Sequence, residues 1–133
     1  MSEAKIKELF DSMLGARFDE FTIRAASFGL RFSKYSGSDE IVFNVETQSD
    51  VKDFYDPLKN YEPAIEQVSG HLFSCLEKNV YSIIKVDAKA YEICFDSGVK
   101  IYLVNEFNDQ FSEIFSVNTK NWPKGAAVSH FNI

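Results

Sequence analysis

The sequence has few of the residue types from which recognisable active sites are built. Its 133 residues include two cysteines, two histidines, three prolines and six glycines. Two histidines are too few for a typical zinc site, and the spacings H-x-x-x-H, H-E-x-x-H and C-x-x-C do not occur. The glycines are scattered, so the chain has neither a P-loop nor a dinucleotide-binding fingerprint. We therefore expect no metal and no cofactor.

Positive charge and long apolar runs are also scarce. Fourteen Lys and Arg stand against twenty Asp and Glu, for a net charge of −6, which disfavours direct binding to nucleic acid. The longest apolar runs are far shorter than the ~20 residues of a membrane-spanning helix, and no apolar signal core follows the polar start. Apolar neighbours around Cys75 and Cys94 indicate free, buried thiols in a reducing compartment. We expect a cytoplasmic protein without a membrane partner.

Apolar and aromatic residues, in contrast, are plentiful. They make up 45% of the chain, with thirteen Phe and six Tyr, which is enough for the core of one domain over residues 1–133. Residues 2–14 have helical apolar spacing, with Ser2 as the cap and Gly15 as the end. Helical spacing resumes at Pro63, a residue suited to the first position of a helix.

Strand-like alternation with a period of two accounts for most of the remaining chain. It predicts seven strands, at residues 18–25, 28–34, 40–46, 79–86, 90–96, 99–105 and 111–117. The stretch 47–63 and the tail from residue 118 read as irregular. This order predicts an α+β fold, with two main helices and an antiparallel sheet of six to seven strands. The helices cover one face, or the two halves of the sheet wrap around them.

The two halves of the chain share one order of elements. A helix and three strands over residues 2–46 match a helix and three strands over 63–105, and Leu14 aligns with Leu76. One such unit could not bury its apolar face alone. The pattern predicts an internal duplication.

The stretch around Cys94 places a thiol close to Asp96, Ser97 and Gly98. A catalytic thiol needs a lowered pKa, but Cys94 falls on the strand face of Glu92 and Asp96, whose carboxylates would raise its pKa. Asp96-Ser97-Gly98 is typical of a hairpin turn. We assign no catalytic residue here, and none to the two histidines, His71 in the second helix and His130 near the C-terminus.

Charge is distributed unevenly along the chain. Residues 39–66 contain eight acids and two lysines, a local charge of −6 that equals the net charge of the whole chain. Aromatic residues lie among these acids. This composition fits a surface that docks a basic protein, with the aromatics as anchors and the carboxylates steering the encounter. The candidate partner-binding residues are Asp39, Glu40, Glu46, Asp50, Asp53, Phe54, Tyr55, Asp56, Tyr61 and Glu62. A solvated loop that only maintains solubility is the alternative.

Three stretches of the second half are similar to small bacterial domains: L-x-x-x-V-x-x-I over residues 76–83, YEICFDSGVKIYL over 91–103, and SEIFSVN over 112–118. With the length, acidity and lack of catalytic motifs, the chain resembles bacterial immunity proteins of contact-dependent inhibition and polymorphic toxin systems. The resemblance implies a protein that binds its cognate toxin, commonly a nuclease with a basic active site. Such a protein blocks the toxin without doing chemistry. No motif position matches one by one, so the resemblance assigns no site residue.

Two other interpretations stay open. The first is a small-ligand-binding or enzymatic module, with a pocket between sheet and helices where His71, Cys94 or several carboxylates converge. The second is an oligomerising domain that forms a homodimer through an exposed edge strand, with residues 111–117 as the candidate edge.

Overall fold

A computed structural model describes residues 2–58, 65–105 and 113–133. Within these ranges the chain forms two helices and nine strands, so the predicted α+β class is confirmed. The elements are α1 (Glu3–Met13), β1 (Arg17–Ile23), β2 (Phe28–Ser36), β3 (Asp39–Thr47), β4 (Asp50–Lys52), α2 (Ile65–Cys75), β5 (Val80–Asp87), β6 (Ala90–Phe95), β7 (Lys100–Val104), β8 (Ser116–Lys120) and β9 (Val128–Asn132).

The nine strands form two antiparallel sheets. One has the order β1-β2-β3-β8-β9 and the other the order β4-β7-β6-β5. Strands β4 and β9 were not predicted, and the last predicted strand is shifted from 111–117 to Ser116–Lys120. Its assignment as an exposed edge was wrong, because β8 pairs with β3 on one side and β9 on the other. Residues 111 and 112 lie outside the described residues.

The core lies between the sheets and the two helices. Phe18 and Phe32 from the first sheet stack with Phe95 from the second, and the three ring centroids lie 5.1–6.4 Å apart. Helix α1 contributes buried Leu9 and Met13. Helix α2 contributes buried Val68, Leu72 and Cys75.

The cap of α1 is the one that the sequence predicts. The Ser2 side chain accepts a hydrogen bond from the Lys5 amide at 3.2 Å, which satisfies one of the free N–H groups at the helix start. After the helix, Gly15 takes a φ of 82°, a left-handed conformation that glycine adopts without steric cost.

The loops that follow the two helices share one backbone geometry. The Gly15 amide donates to the Val80 carbonyl at 2.8 Å. The Glu77 amide donates to the Phe18 carbonyl at 2.9 Å. The two bonds are equivalent by a shift of 62 positions, which relates Gly15 to Glu77 and Phe18 to Val80. Both donor residues have a positive φ, 82° at Gly15 and 67° at Glu77. The two halves are therefore related by a local two-fold arrangement, while duplication of the sequence stays a prediction.

Both cysteines are free. Cys75 is fully buried in α2, and burial raises the pKa of its thiol to about 11. A thiol with this pKa is protonated at neutral pH, so Cys75 is a packing residue of the core.

Candidate protein-docking surface

Strand β4 forms one outer strand of the four-stranded sheet. It pairs antiparallel with β7, and Val51 faces the core with 1% of its surface exposed. Lys52 is also buried, at 2% exposure, and its Nζ lies 4.0 Å from Asp50 Oδ2. A buried ammonium group needs a compensating charge. The Asp50 carboxylate supplies this charge at the edge of the sheet.

The chain after β4 is fastened to the sheet by Tyr55. The Tyr55 hydroxyl donates a 2.6 Å hydrogen bond to Asp87 Oδ2 at the end of β5. Its ring lies 6.2 Å from the ring of Tyr102 in β7. The second Asp87 oxygen accepts from the Lys89 amide at 2.6 Å. One aromatic side chain therefore connects this segment to two strands.

These contacts set the charge state of both groups. Burial, then the hydrogen bond to Asp87 and its charge, raise the pKa of Tyr55 to about 12. The hydrogen bond from Tyr55, followed by that from the Lys89 amide, lowers the pKa of Asp87 below its ordinary value of 3.8. At neutral pH the pair is a neutral phenol that donates to a carboxylate.

Two apolar side chains on the same segment point to solvent. Phe54 is 56% exposed and Leu58 is 77% exposed, on either side of the anchored Tyr55. The Leu58 amide donates to Asp56 Oδ1 at 2.8 Å, an Asx-type turn that fixes the local backbone. Asp53 and Asp56 are partly exposed beside them. We call Asp50, Asp53, Phe54, Asp56 and Leu58 the docking surface.

The structure separates the predicted partner-binding residues into groups. Asp39 and Glu40 lie at the start of β3, and Glu46 lies near its end. Seven residues of extended chain separate Asp39 from Glu46, a distance of about 24 Å. Asp50, Asp53, Phe54, Tyr55 and Asp56 follow beyond that end, in β4 and the segment after it. Tyr61 and Glu62 lie outside the described residues.

Two of the acids on β3 already have basic partners. Glu40 Oε1 lies 3.9 Å from Arg31 Nη2, and its Oε2 accepts from the Tyr35 hydroxyl at 3.3 Å. Glu46 forms a 2.7 Å ion pair with Arg24. Asp50 also lies near a lysine, Lys52, so ion pairing does not set the docking surface apart. Its distinguishing feature is the combination of acids with the exposed apolar side chains of Phe54 and Leu58.

A cavity of about 240 Å³ lies beside Tyr55. It is lined by Lys52, Tyr55, Asp56, Pro57, Asp87, Ala88, Lys89, Val104 and Asn105. Two carboxylates, those of Asp56 and Asp87, thus converge at one cavity. Its charged lining contains two lysines and two aspartates, an arrangement that could hold a small polar molecule.

The other chemically active side chains do not line this cavity. His71 Nε2 lies 2.6 Å from the Lys100 carbonyl oxygen, which accepts a hydrogen bond from the ring. Cys94 Sγ lies 3.5 Å from the Phe95 carbonyl oxygen. His130 contacts the amide oxygens of Asn118 and Asn132 at 2.5 and 2.6 Å. The convergence of His71 or Cys94 with carboxylates in one pocket, one form of the small-ligand prediction, is not seen among the described residues.

Sequence reasoning missed two residues of this region. Leu58 was not selected because a single leucine among polar residues gives no periodic signal. Asp87 was not selected because it lies 32 positions from Tyr55, and one acid among twenty carries no specific pattern. Tyr55, predicted as an exposed anchor, is half-buried and holds the segment in place.

Comparison with known proteins adds no relative: no family model, no curated protein and no solved structure matches the chain. No helix in the described part of the chain has the length and apolarity needed to cross a membrane.

Proposed function

We propose that this chain is an immunity protein, which binds and neutralises a cognate basic toxin, such as a nuclease domain, through the docking surface. The observation that carries the proposal is the exposure of Phe54 and Leu58 at 56% and 77% on a segment held by Tyr55. Large apolar side chains that are exposed in a fixed position are typical anchors of protein interfaces.

Rigidity and charge both support binding to a protein. Because the Tyr55–Asp87 hydrogen bond and the Asp56 turn hold the segment, less conformational entropy is lost when a partner covers it. Asp50, Asp53 and Asp56 lie within seven positions of one another and surround Phe54 in the sequence. Their carboxylates would attract a basic surface and speed the encounter.

A growth experiment tests this function. The chain is co-expressed with a candidate toxin domain taken from a gene adjacent to its own in the source genome, and growth is measured. The unsubstituted chain should restore growth, and the double variant Phe54→Ala/Leu58→Ala should not, because both anchors are lost. The matched control is Tyr35→Ala, which removes an aromatic side chain that is 70% exposed on the other sheet.

Two outcomes would contradict the proposal. Failure of the unsubstituted chain to restore growth rules out the immunity function for that toxin. Full protection by the double variant, at equal expression and with a cooperative melting transition, rules out the docking surface as the binding site.

The cavity beside Tyr55 favours a second candidate function, the binding of a small polar ligand. Lys52 and Asn105 line it and are only 2% and 4% exposed. Titration of the labelled protein with small zwitterions, followed by NMR at the amides of Ala88 and Lys89, would detect saturable shifts. Unchanged amide signals across a library of amino acids and related zwitterions would exclude this class of ligand.

A further inference from the structure

Strand β5 has an edge that is closed at Val80, whose backbone bonds to Gly15 and Ala16, and that is open among the described residues from Tyr81 to Val86. It is the outer strand of the four-stranded sheet, opposite β4, and β6 is its only neighbouring strand among the described residues. Three large apolar side chains on it are exposed: Tyr81 at 71%, Ile84 at 48% and Val86 at 37%. An exposed apolar edge strand is a template for pairing with another chain.

The hydrogen-bond pattern of the sheet shows which residues of β5 face this edge. The Phe95 amide donates to the Val99 carbonyl at 2.9 Å, so the backbone of Phe95 points towards β7. Backbone polar groups alternate in direction along a strand, so Cys94 and Glu92 of β6 point towards β5. Their partners in the register are Ser82 and Ile84. The residues between and after them, Ile83 and Lys85, therefore point their N–H and C=O groups to the open edge.

We propose that the β5 edge pairs antiparallel with β5 of a second copy of this chain, about a two-fold axis at Ile84. Ile83 of each copy then lies opposite Lys85 of the other. Each of these two pairs exchanges two backbone hydrogen bonds, so four bonds form between the copies. Ile84 lies opposite Ile84 in the close, non-hydrogen-bonded position. The two sheets become one continuous sheet of eight described strands.

The side chains of β5 are compatible with this register. In an antiparallel pair, opposite residues project from the same face of the sheet. The register places Ile84 opposite Ile84 on one face, which brings exposed apolar side chains of both copies together, while Val86 lies at the irregularity between Lys85 and Asp87. Lys85, whose Nζ lies 5.7 Å from the Tyr91 ring centroid, is opposite Ile83. No like charges face each other along the strand.

The interface is expected to be small. Register irregularities between Val80 and Ser82 and between Lys85 and Asp87 limit the regular strand to its four central residues. An interface of this length falls in the class below about 1,200 Å², which is typical of weak association. The dimer should therefore depend strongly on protein concentration.

The inference does not depend on the proposed function. Strand β4 lies about 14 Å from β5 at the usual strand spacing, while Tyr55 connects the segment after β4 to Asp87 at the end of β5. The proposed pairing uses the backbone of Ile83 and Lys85 and involves neither Phe54 nor Leu58. Loss of dimerisation and loss of toxin binding are distinguishable, because they respond to different variants.

Cysteine cross-linking tests the register. In a Cys94→Ser background, which removes the half-buried thiol near Ile84, the variant Ile84→Cys should form a disulfide-linked dimer under mild oxidation. Its two Cα atoms would lie about 4.5 Å apart, within disulfide range. The control is Tyr81→Cys, which is more exposed but would lie about 20 Å from its copy. Equal cross-linking at both positions, or none at Ile84→Cys, would overturn the proposal.

Sedimentation equilibrium tests the association without a cross-link. With rising concentration, the mass should increase from 15.2 kDa towards twice that value. Ile84→Lys should abolish the increase because it opposes two ammonium groups at the axis. Val128→Lys, at a 76% exposed position on β9, should retain it. A mass that stays at 15.2 kDa at the highest attainable concentration overturns self-pairing. The β5 edge would then be a candidate for pairing with an extended segment of another protein.

Discussion

Tyr55 and Asp87 are 32 positions apart and are joined by a 2.6 Å hydrogen bond from the phenol to the carboxylate. This bond connects the segment after β4 with the hairpin between β5 and β6. It determines where Phe54 and Leu58 stand on the surface, and so whether the docking surface is a fixed structure or a solvated loop.

Removal of the Tyr55 hydroxyl should weaken this connection. The variant Tyr55→Phe keeps the ring near Tyr102 and loses only the bond to Asp87, so we expect the free energy of unfolding to fall by about 1–2 kcal/mol. Urea denaturation at neutral pH measures the change. The control Tyr35→Phe removes a 3.3 Å bond to Glu40 from a 70% exposed side chain. It should cost less than about 0.5 kcal/mol. An equal decrease in the free energy of unfolding for the two variants would show that the Tyr55–Asp87 hydrogen bond contributes no more than an exposed surface bond.

The same bond predicts an acid dependence of stability. The Tyr55 hydroxyl holds the pKa of folded Asp87 below its ordinary value of 3.8. The resulting stabilisation is fully present above the pKa of the unfolded state and is lost as the pH falls through the folded pKa. Between neutral pH and pH values below 3.8, the difference in unfolding free energy between the unsubstituted chain and Tyr55→Phe should therefore shrink. A difference that is constant over this range would show that Asp87 does not titrate against Tyr55.

Two glycine substitutions should change stability in opposite directions. Gly70 lies inside α2 with no atom within 4 Å of an added Cβ, so Gly70→Ala should stabilise the protein by about 1 kcal/mol through helix propensity. Gly15 is equally open, but its φ of 82° is left-handed. Gly15→Ala should destabilise by about 1 kcal/mol. Thermal unfolding of both variants checks the signs. A stabilising Gly15→Ala would show that the loop after α1 relaxes out of the left-handed region.

Local regularity explains which elements the sequence predicts. Helix α1 has a complete apolar stripe and a capping serine. Strands β2 and β3 have alternating apolar residues that are buried, namely Leu30, Phe32, Ile41, Phe43 and Val45, although Ser33 and Val42 between them are buried as well. Strand β4 has three residues, too few to alternate, and β9 is half exposed along its whole length. Strand β4 owes its position to β7, which is distant in sequence, whereas β9 pairs with β8, the strand that precedes it.

In the candidate site, too, features that depend on neighbouring residues could be predicted from the sequence, and features that depend on long-range contacts could not. The acidic composition and the exposure of Phe54 could be predicted locally, since both depend on residues near one another in the chain. The anchoring of Tyr55 depends on a contact with β5 and β7, which composition does not encode. The structure therefore gives two residues of the predicted segment a role that was not predicted. Tyr55 anchors the segment to the sheet, and Glu46 forms an ion pair with Arg24.

Charge substitutions in the segment after β4 and at the start of β3 should separate the docking surface from the rest of the acidic segment. The double variant Asp53→Asn/Asp56→Asn removes two negative charges and keeps Asp50 beside buried Lys52, while the new side-chain carbonyl at position 56 can still accept a hydrogen bond from the Leu58 amide. Its association rate with the basic partner should fall at low salt, with a smaller change in the dissociation rate, because steering acts on the encounter. Stopped-flow mixing at several salt concentrations measures both rates.

The double variant Asp39→Asn/Glu40→Gln provides the matched control. These residues belong to the same acidic segment, but Asp39 lies about 24 Å and Glu40 about 20 Å from Glu46, which is near the other end of β3. Since the Debye length is about 8 Å at physiological ionic strength, their removal should leave the association rate at that salt nearly unchanged. If Asp39→Asn/Glu40→Gln slows association as much as Asp53→Asn/Asp56→Asn, the partner contacts the turn between β2 and β3. The surface around Phe54 and Leu58 would then be wrong as the main contact.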